Sequence, residues 1–149
     1  MKSTFSINIS TNFYSQSMIE LGRYATITTQ RKDGGNMVNS TLWTELSALL
    51  YYVTSTTITD GATTYSYTDL CAKQNYVCVI DGGYIFSTTF ITALGTNSIS
   101  SPVFLISGIP LTINNTFGGA TSARGVLTSA AGIKLAFHLS VMNMDLASK

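Results

Sequence analysis

The sequence predicts an α+β domain, with helices laid over one face of a mixed or antiparallel sheet. Three observations point to it. Leu42, Trp43, Leu46, Leu49, Leu50 and Val53 recur at helical spacing within residues 41–53 and make one apolar face. Ile133, Leu135, Phe137 and Leu139 alternate with Lys134, Ala136 and His138, the two-residue period of a strand. Between them, Asp-Gly and Gly-Gly pairs punctuate short β-branched runs.

Taken in order, residues 20–31 place Leu21, Ala25 and Ile27 at even spacing among threonines and stop at Asp33-Gly34-Gly35, which reads as a strand ended by a turn. Asn39 or Ser40 can cap the helix that follows, because a short polar side chain accepts from its orphan amides. Trp43 reads as a core anchor. Residues 54–59 are β-branched, break at Asp60-Gly61 and resume over 63–67, an extended segment or hairpin. After a second turn at Asp81-Gly82-Gly83, Ile85, Phe86, Phe90, Ile91 and Leu94 lean helical. Residues 99–113 are apolar but carry Pro102 and Pro110, so they read as an edge or irregular strand. Phe117-Gly118-Gly119 reads as a turn before the final strand. Two strand–helix–strand units in one layer give a split βαβ, ferredoxin-like sandwich. The polar faces of such strands can stay wet.

A chain of 149 residues with 45% hydrophobic content is one domain, residues 1–149, with enough apolar surface for a real core. Charged residues make up only 10%, against roughly 25% in a typical soluble domain. Serine and threonine supply the polar surface instead. The net charge of +1 and eight scattered basic residues argue against nucleic acid, since no basic stripe exists to follow phosphates. Mean hydropathy is +0.26, yet no apolar run reaches the roughly 18–20 residues of a membrane span. The first residues lack the apolar stretch of a signal peptide. If the protein is extracytoplasmic, the sequence is then expected to be a segment of something larger.

The two cysteines, Cys71 and Cys78, suit a disulfide closing a small loop, which the chain-entropy model values at about 2.5 kcal/mol. Two reduced, buried cysteines are the alternative; zinc is disfavoured by a single histidine and the absence of a second ligand pair. Asn8, Asn39 and Asn114 lie in glycosylation sequons. With the cysteine pair they favour the secretory pathway, although Asn39 has its rival capping role.

Catalysis finds little support. Acid–base chemistry needs paired carboxylates or a pocketed histidine, whereas Asp33, Asp60, Asp69 and Asp81 fall in or beside turns. His138 falls on the polar face of its strand and is expected at the surface. There is no serine elbow, and the glycines at 118, 119 and 125 lack the ending of a phosphate loop. The chain is therefore expected to be no enzyme and to use no cofactor or metal.

Taken together, several motifs resemble a known family. Leu21-Gly22-Arg23-Tyr24, then Asp33-Gly34-Gly35-Asn36 and the helix with Leu46, resemble the first extracellular domain of Patched-related proteins. Thr64-Tyr65-Ser66-Tyr67-Thr68-Asp69-Leu70-Cys71 with Cys78 looks like the family's tyrosine–aspartate–leucine–cysteine element. Ile99-Ser100-Ser101-Pro102-Val103-Phe104 and Phe117-Gly118-Gly119 match its next landmarks in order, so the similarity runs over about residues 19–139. The resemblance implies a porter-like fold, core about residues 19–140, within a multi-pass protein similar to resistance–nodulation–division transporters. It further implies sterol or lipid movement or Hedgehog-type signalling, with moulting or endocytic trafficking in nematodes. The site would be the outer face of the plasma membrane or an endocytic vesicle, and the partners a second extracellular domain of the same protein and a sterol or other lipid. The sequence departs from the family in having no transmembrane helix, no sterol-sensing segment and no intramembrane acids. Transport by this chain alone is excluded on that reading, and no ligand-contact residue carries over. The rival reading is a free-standing, secreted, glycosylated binding or adhesion module.

Overall fold

The computed structural model describes residues 5–13 and 23–140, and over these the architecture is α+β around one antiparallel sheet. Strands β1 (Phe5–Phe13) and β2 (Arg23–Arg31) run antiparallel, with Ile9 opposite Ile27. Alternation sorts the faces of β2: Ile27 and Thr29 are buried, Thr28 and Gln30 exposed. The strand stops where expected. Gly34 takes a positive φ of 70° and its N–H returns to the Arg31 carbonyl at 3.1 Å. Leu21 and Gly22 lie outside the described residues.

A 3-10 turn (Ser40–Leu42) runs straight into α1 (Trp43–Ser55). Asn39 caps that turn: its backbone is extended and its Oδ1 accepts from the Thr41 N–H at 2.9 Å. Trp43 and Leu46 are buried, while Leu49, Leu50 and Val53 pack half-buried against the same core. The helix outlasts its expected end, taking in Thr54 and Ser55. The hydroxyls of Thr54 and Thr56 donate back to the carbonyls of Leu50 and Tyr52, at 2.9 and 2.8 Å, so their side chains are held against the last turn.

The hairpin of β3 (Thr57–Asp60) and β4 (Thr63–Ser66) follows, then a single turn, α2 (Tyr67–Leu70). Ser66 gives both its N–H and its hydroxyl to Asp69 Oδ2, each at 2.7 Å, which is why Tyr67 starts a helix instead of ending a strand. Two tiny strands, β5 (Lys73–Gln74) and β6 (Val77–Cys78), lead to β7 (Ile80–Asp81). The helical stretch expected over residues 84–94 comes in two pieces, a 3-10 turn (Gly83–Phe86) and α3 (Thr88–Gly95). Ser87 divides them, extended in backbone and accepting from the Phe90 N–H at 3.2 Å.

Residues expected to form one irregular strand fold instead as a hairpin, β8 (Val103–Ile106) and β9 (Ile109–Thr112). Ser107 and Gly108 both take positive φ, 50° and 81°, the two-residue turn whose twist matches its strands. After a 3-10 turn (Ile113–Asn115) and β10 (Phe117–Gly118), a second such hairpin joins β11 (Thr121–Ala123) to β12 (Val126–Ser129) across Arg124 and Gly125. The last strand described is β13 (Gly132–Leu139).

The sheet order is β1-β2-β13-β10, with β7 also on β13. One edge of β13 pairs along its whole length with β2, from Gly132 opposite Gln30 to Leu139 opposite Arg23. Its other edge is met in turn by β10, by β7 and by Cys71, which bridges Leu139. Because β2 and β7 are each antiparallel to β13, they run parallel to one another with β13 between them. The β2–α1–β7 connection is thus one split strand–helix–strand unit. Between α3 and β13 come the two hairpins, and β1 holds the far edge.

The core lies on the side of the sheet bearing Ile27, Ile133, Leu135 and Phe137, and both α1 and α3 pack there. Phe90 sits at its centre, fully buried, with the rings of Trp43, Tyr84, Phe104 and Phe117 at 5.3–5.8 Å. The Trp43 Nε1–H donates to the Ile85 carbonyl at 2.8 Å, which ties α1 to the turn before α3.

Candidate functional site

Cys71 and Cys78 form a disulfide, with Cα atoms 5.5 Å apart. It closes the β5–β6 hairpin, and the loop is anchored at its base: the Ala72 N–H donates to the His138 carbonyl at 2.9 Å and the Ser140 N–H to the Leu70 carbonyl at 2.8 Å. The loop tip is open, with Tyr76 97% and Val77 68% exposed. Behind it lies a small slot of about 380 Å³ bordered by Tyr67, Lys73 and Ile80. The Tyr67 hydroxyl is enclosed without a hydrogen-bond partner among the described residues, and burial pushes its pKa up to about 12. Reducing the bridge should lower stability by about 2.5 kcal/mol and the melting midpoint by roughly 5–10 °C. Calorimetry with and without reductant reads the loss, and alkylation with mass measurement counts the thiols released.

The other face of the sheet, turned away from the helices, carries a polar groove of about 740 Å³. Its floor is Tyr24, Thr26 and Thr28 of β2 beside Lys134 and Ala136 of β13, residues that register brings together as Thr26 with Ala136 and Thr28 with Lys134. Asp81, Gly82 and Tyr84 form one wall; Leu111 and Thr112 of β9 and Asn115 form the other. A smaller hollow of about 210 Å³ shares Thr28, Asn115, Thr116 and Lys134 and continues it toward Gly118 and Gly132.

His138 lies on this polar face, as its alternation requires, but it is only 7% exposed rather than at the surface. The Tyr24 ring packs 5.9 Å from it, and Asp81 Oδ2 is 2.8 Å from its Nε2. Burial pulls the imidazole below its ordinary range and raises the Asp81 carboxyl above its own, the latter opposed by the charge of Lys134. Asp81 would favour a charged His138, but two-thirds of its side chain is in water, which screens it, so burial prevails. A depressed pKa means that the neutral form is the one the fold prefers. Its contribution is complete above the unfolded value of about 6.5 and is lost as pH falls below it. Stability should therefore drop as pH falls from about 6.5, and His138→Gln should flatten that slope in denaturant titrations at successive pH values.

Asp33, Asp60 and Asp69 hold turns and a cap. Asp33 accepts from Arg31 Nε at 2.8 Å and from the Gly35 N–H at 2.9 Å, and the guanidinium holds its carboxyl well below the usual range. Asp60 stands at the β3–β4 turn opposite Thr63, and Asp69 caps α2. Only Asp81 departs from the turn-and-cap expectation, being a strand residue aimed at His138. Among the described residues, no three of the His, Cys, Asp and Glu side chains gather in one place, and no helix is long and apolar enough to cross a membrane.

The three sequon asparagines are scattered. Asn8 stands in β1 opposite Thr28, and its side chain lies outside the described residues. Asn39 Oδ1 accepts from both the N–H and the hydroxyl of Thr41, so capping engages it. Asn114 is exposed in the turn before β10, although the hydroxyl residue of its sequon, Thr116, is buried. The groove was missed from sequence because no motif marks it. The hint was β2 itself, whose Tyr24, Thr26 and Thr28 put ring and hydroxyls on one face.

The fold and these sites define a disulfide-closed α+β domain with a polar groove on its helix-free face. Compared with known proteins, the chain matches no family model, no curated protein and no solved structure.

Proposed function

We propose that this chain is an extracytoplasmic domain that acts by binding rather than by catalysis, as the first extracellular domain of a Patched-related membrane protein. The observation that carries the reading is the Cys71–Cys78 bridge. Disulfides persist in oxidising compartments, and this one closes the tyrosine–aspartate–leucine–cysteine element on which the resemblance is anchored. The split β2–α1–β7 unit is compatible with a porter-like domain. Exposed Val103, Leu105 and Ile109 on the β8–β9 hairpin suit contact with the second extracellular domain. Lipid or sterol movement, or signalling of the Hedgehog type, would then belong to the full-length protein. The coding sequence on either side is the test. Apolar segments of about 20 residues flanking residues 1–149 support the proposal. A signal peptide with an early stop codon overturns it and leaves the secreted, glycosylated binding module, a reading that the polar groove favours.

A further inference from the structure

The groove on the helix-free face has a chemistry of its own, and it does not depend on membership in any family. Its floor follows β2 from Tyr24 to Thr28, about 13 Å at strand rise, with Lys134 and Ala136 of β13 alongside. Its volume of about 740 Å³ falls in the range of sites that enclose small ligands. Hydroxyls of Thr26 and Thr28 and the amide of Asn115 line it, groups able both to donate and to accept. Tyr24 and Tyr84 add ring surface.

The charges exclude much. Among the described residues, Lys134 is the one cation of the lining and Asp81 the one carboxylate, so a phosphate or polyanion would meet there a single positive group opposed by a negative one. An apolar ligand would strip water from the threonines and asparagine without replacing their hydrogen bonds. A peptide that bound by strand addition would need a free strand edge, and both edges of β13 are occupied. What remains is a ligand whose groups donate and accept in equal measure around flat C–H faces. We infer that the groove is a binding site for a short oligosaccharide, neutral or bearing a single carboxylate, its sugar rings laid along the β2–β13 floor between Tyr24 and Asn115.

The test is an amide-shift titration of the disulfide-intact chain. The probes are chitotetraose, maltotetraose, mannotetraose and a hyaluronan disaccharide, which bears one carboxylate, with inorganic phosphate as the anion control. At least one sugar should shift the amides of Thr26, Thr28, Lys134 and Asn115 together, at up to about 10 mM. Thr28→Arg places a long side chain in the groove from an exposed position and should weaken binding by about tenfold or more. Lys134→Gln should weaken the acidic sugar more than any neutral one. No shift with any sugar overturns the inference. So do shifts confined to the β8–β9 hairpin, binding indifferent to Thr28→Arg, or phosphate binding more tightly than every sugar. A failed titration leaves the family reading standing, because the flanking coding sequence decides that separately.

Discussion

Replacing Phe90 with alanine is expected to destabilise the domain by about 3–5 kcal/mol, close to the whole stability of an ordinary domain. Phe90 is fully buried and touches four aromatic rings that come from separate elements: Trp43 from α1, Tyr84 from the turn before α3, Phe104 from β8 and Phe117 from β10. Truncation removes the transfer free energy of the ring, and it also leaves a cavity that four well-packed neighbours cannot collapse into together. Phe90→Leu keeps much of the volume and should cost less than about half as much. Equilibrium denaturation followed by circular dichroism separates the two variants. Equal and small losses from both would mean that the aromatic cluster is not the keystone of the core.

The second large effect is expected at Gly82. Its φ is +83°, and a Cβ built there would lie 2.7 Å from the Lys134 carbonyl oxygen and 3.1 Å from Leu135 and Thr116 side-chain atoms. The backbone oxygen cannot move without disturbing β13, the strand on which the sheet is assembled. Gly82→Ala should cost about 3 kcal/mol or more, as left-handed strain adds to the clash. Gly61→Ala is the control. It has a similar φ of +60° and nothing within 4 Å, so it should show the conformational cost alone, about 1–2 kcal/mol. The difference in denaturation midpoints between the two variants measures how tightly the turn after β7 is seated against β13. No difference would refute that seating. Loss of the β7–β13 pairing should also show as faster amide exchange at His138, whose N–H donates to the Val79 carbonyl beside β7 at 3.3 Å.

Several elements were legible from the chain alone. The apolar face of α1, a cap at Asn39 or Ser40 ahead of it, the strand stopped at Asp33-Gly34-Gly35 and the alternation of β13 all rest on spacings of two to four residues. Asn36 shows where legibility ended. Its place after a glycine turn was plain, but its side chain accepts from the Ala130 N–H at 3.0 Å and donates to the Thr128 carbonyl at 2.9 Å, bonds that span more than ninety residues. The β8–β9 hairpin went unread for a different reason. The Ser107-Gly108 pair is a two-residue turn signal, but apolar runs on both sides and Pro110 made the stretch look like one irregular strand.

What the sequence by itself determined is the set of local elements and the class of fold, because capping, turn formation and amphipathic spacing are settled among near neighbours in the chain. The cysteine pair belonged there too as a proposal, its loop being short. Tertiary structure alone decided that β13 lies between β2 and β7, that His138 is covered on the polar face, and that Thr28, Asp81, Asn115 and Lys134 border one groove. Those four residues are spread over more than a hundred positions, and only the pairing of distant strands fixes the distances between them. A polar strand face reads the same in sequence whether water or neighbouring walls stand over it.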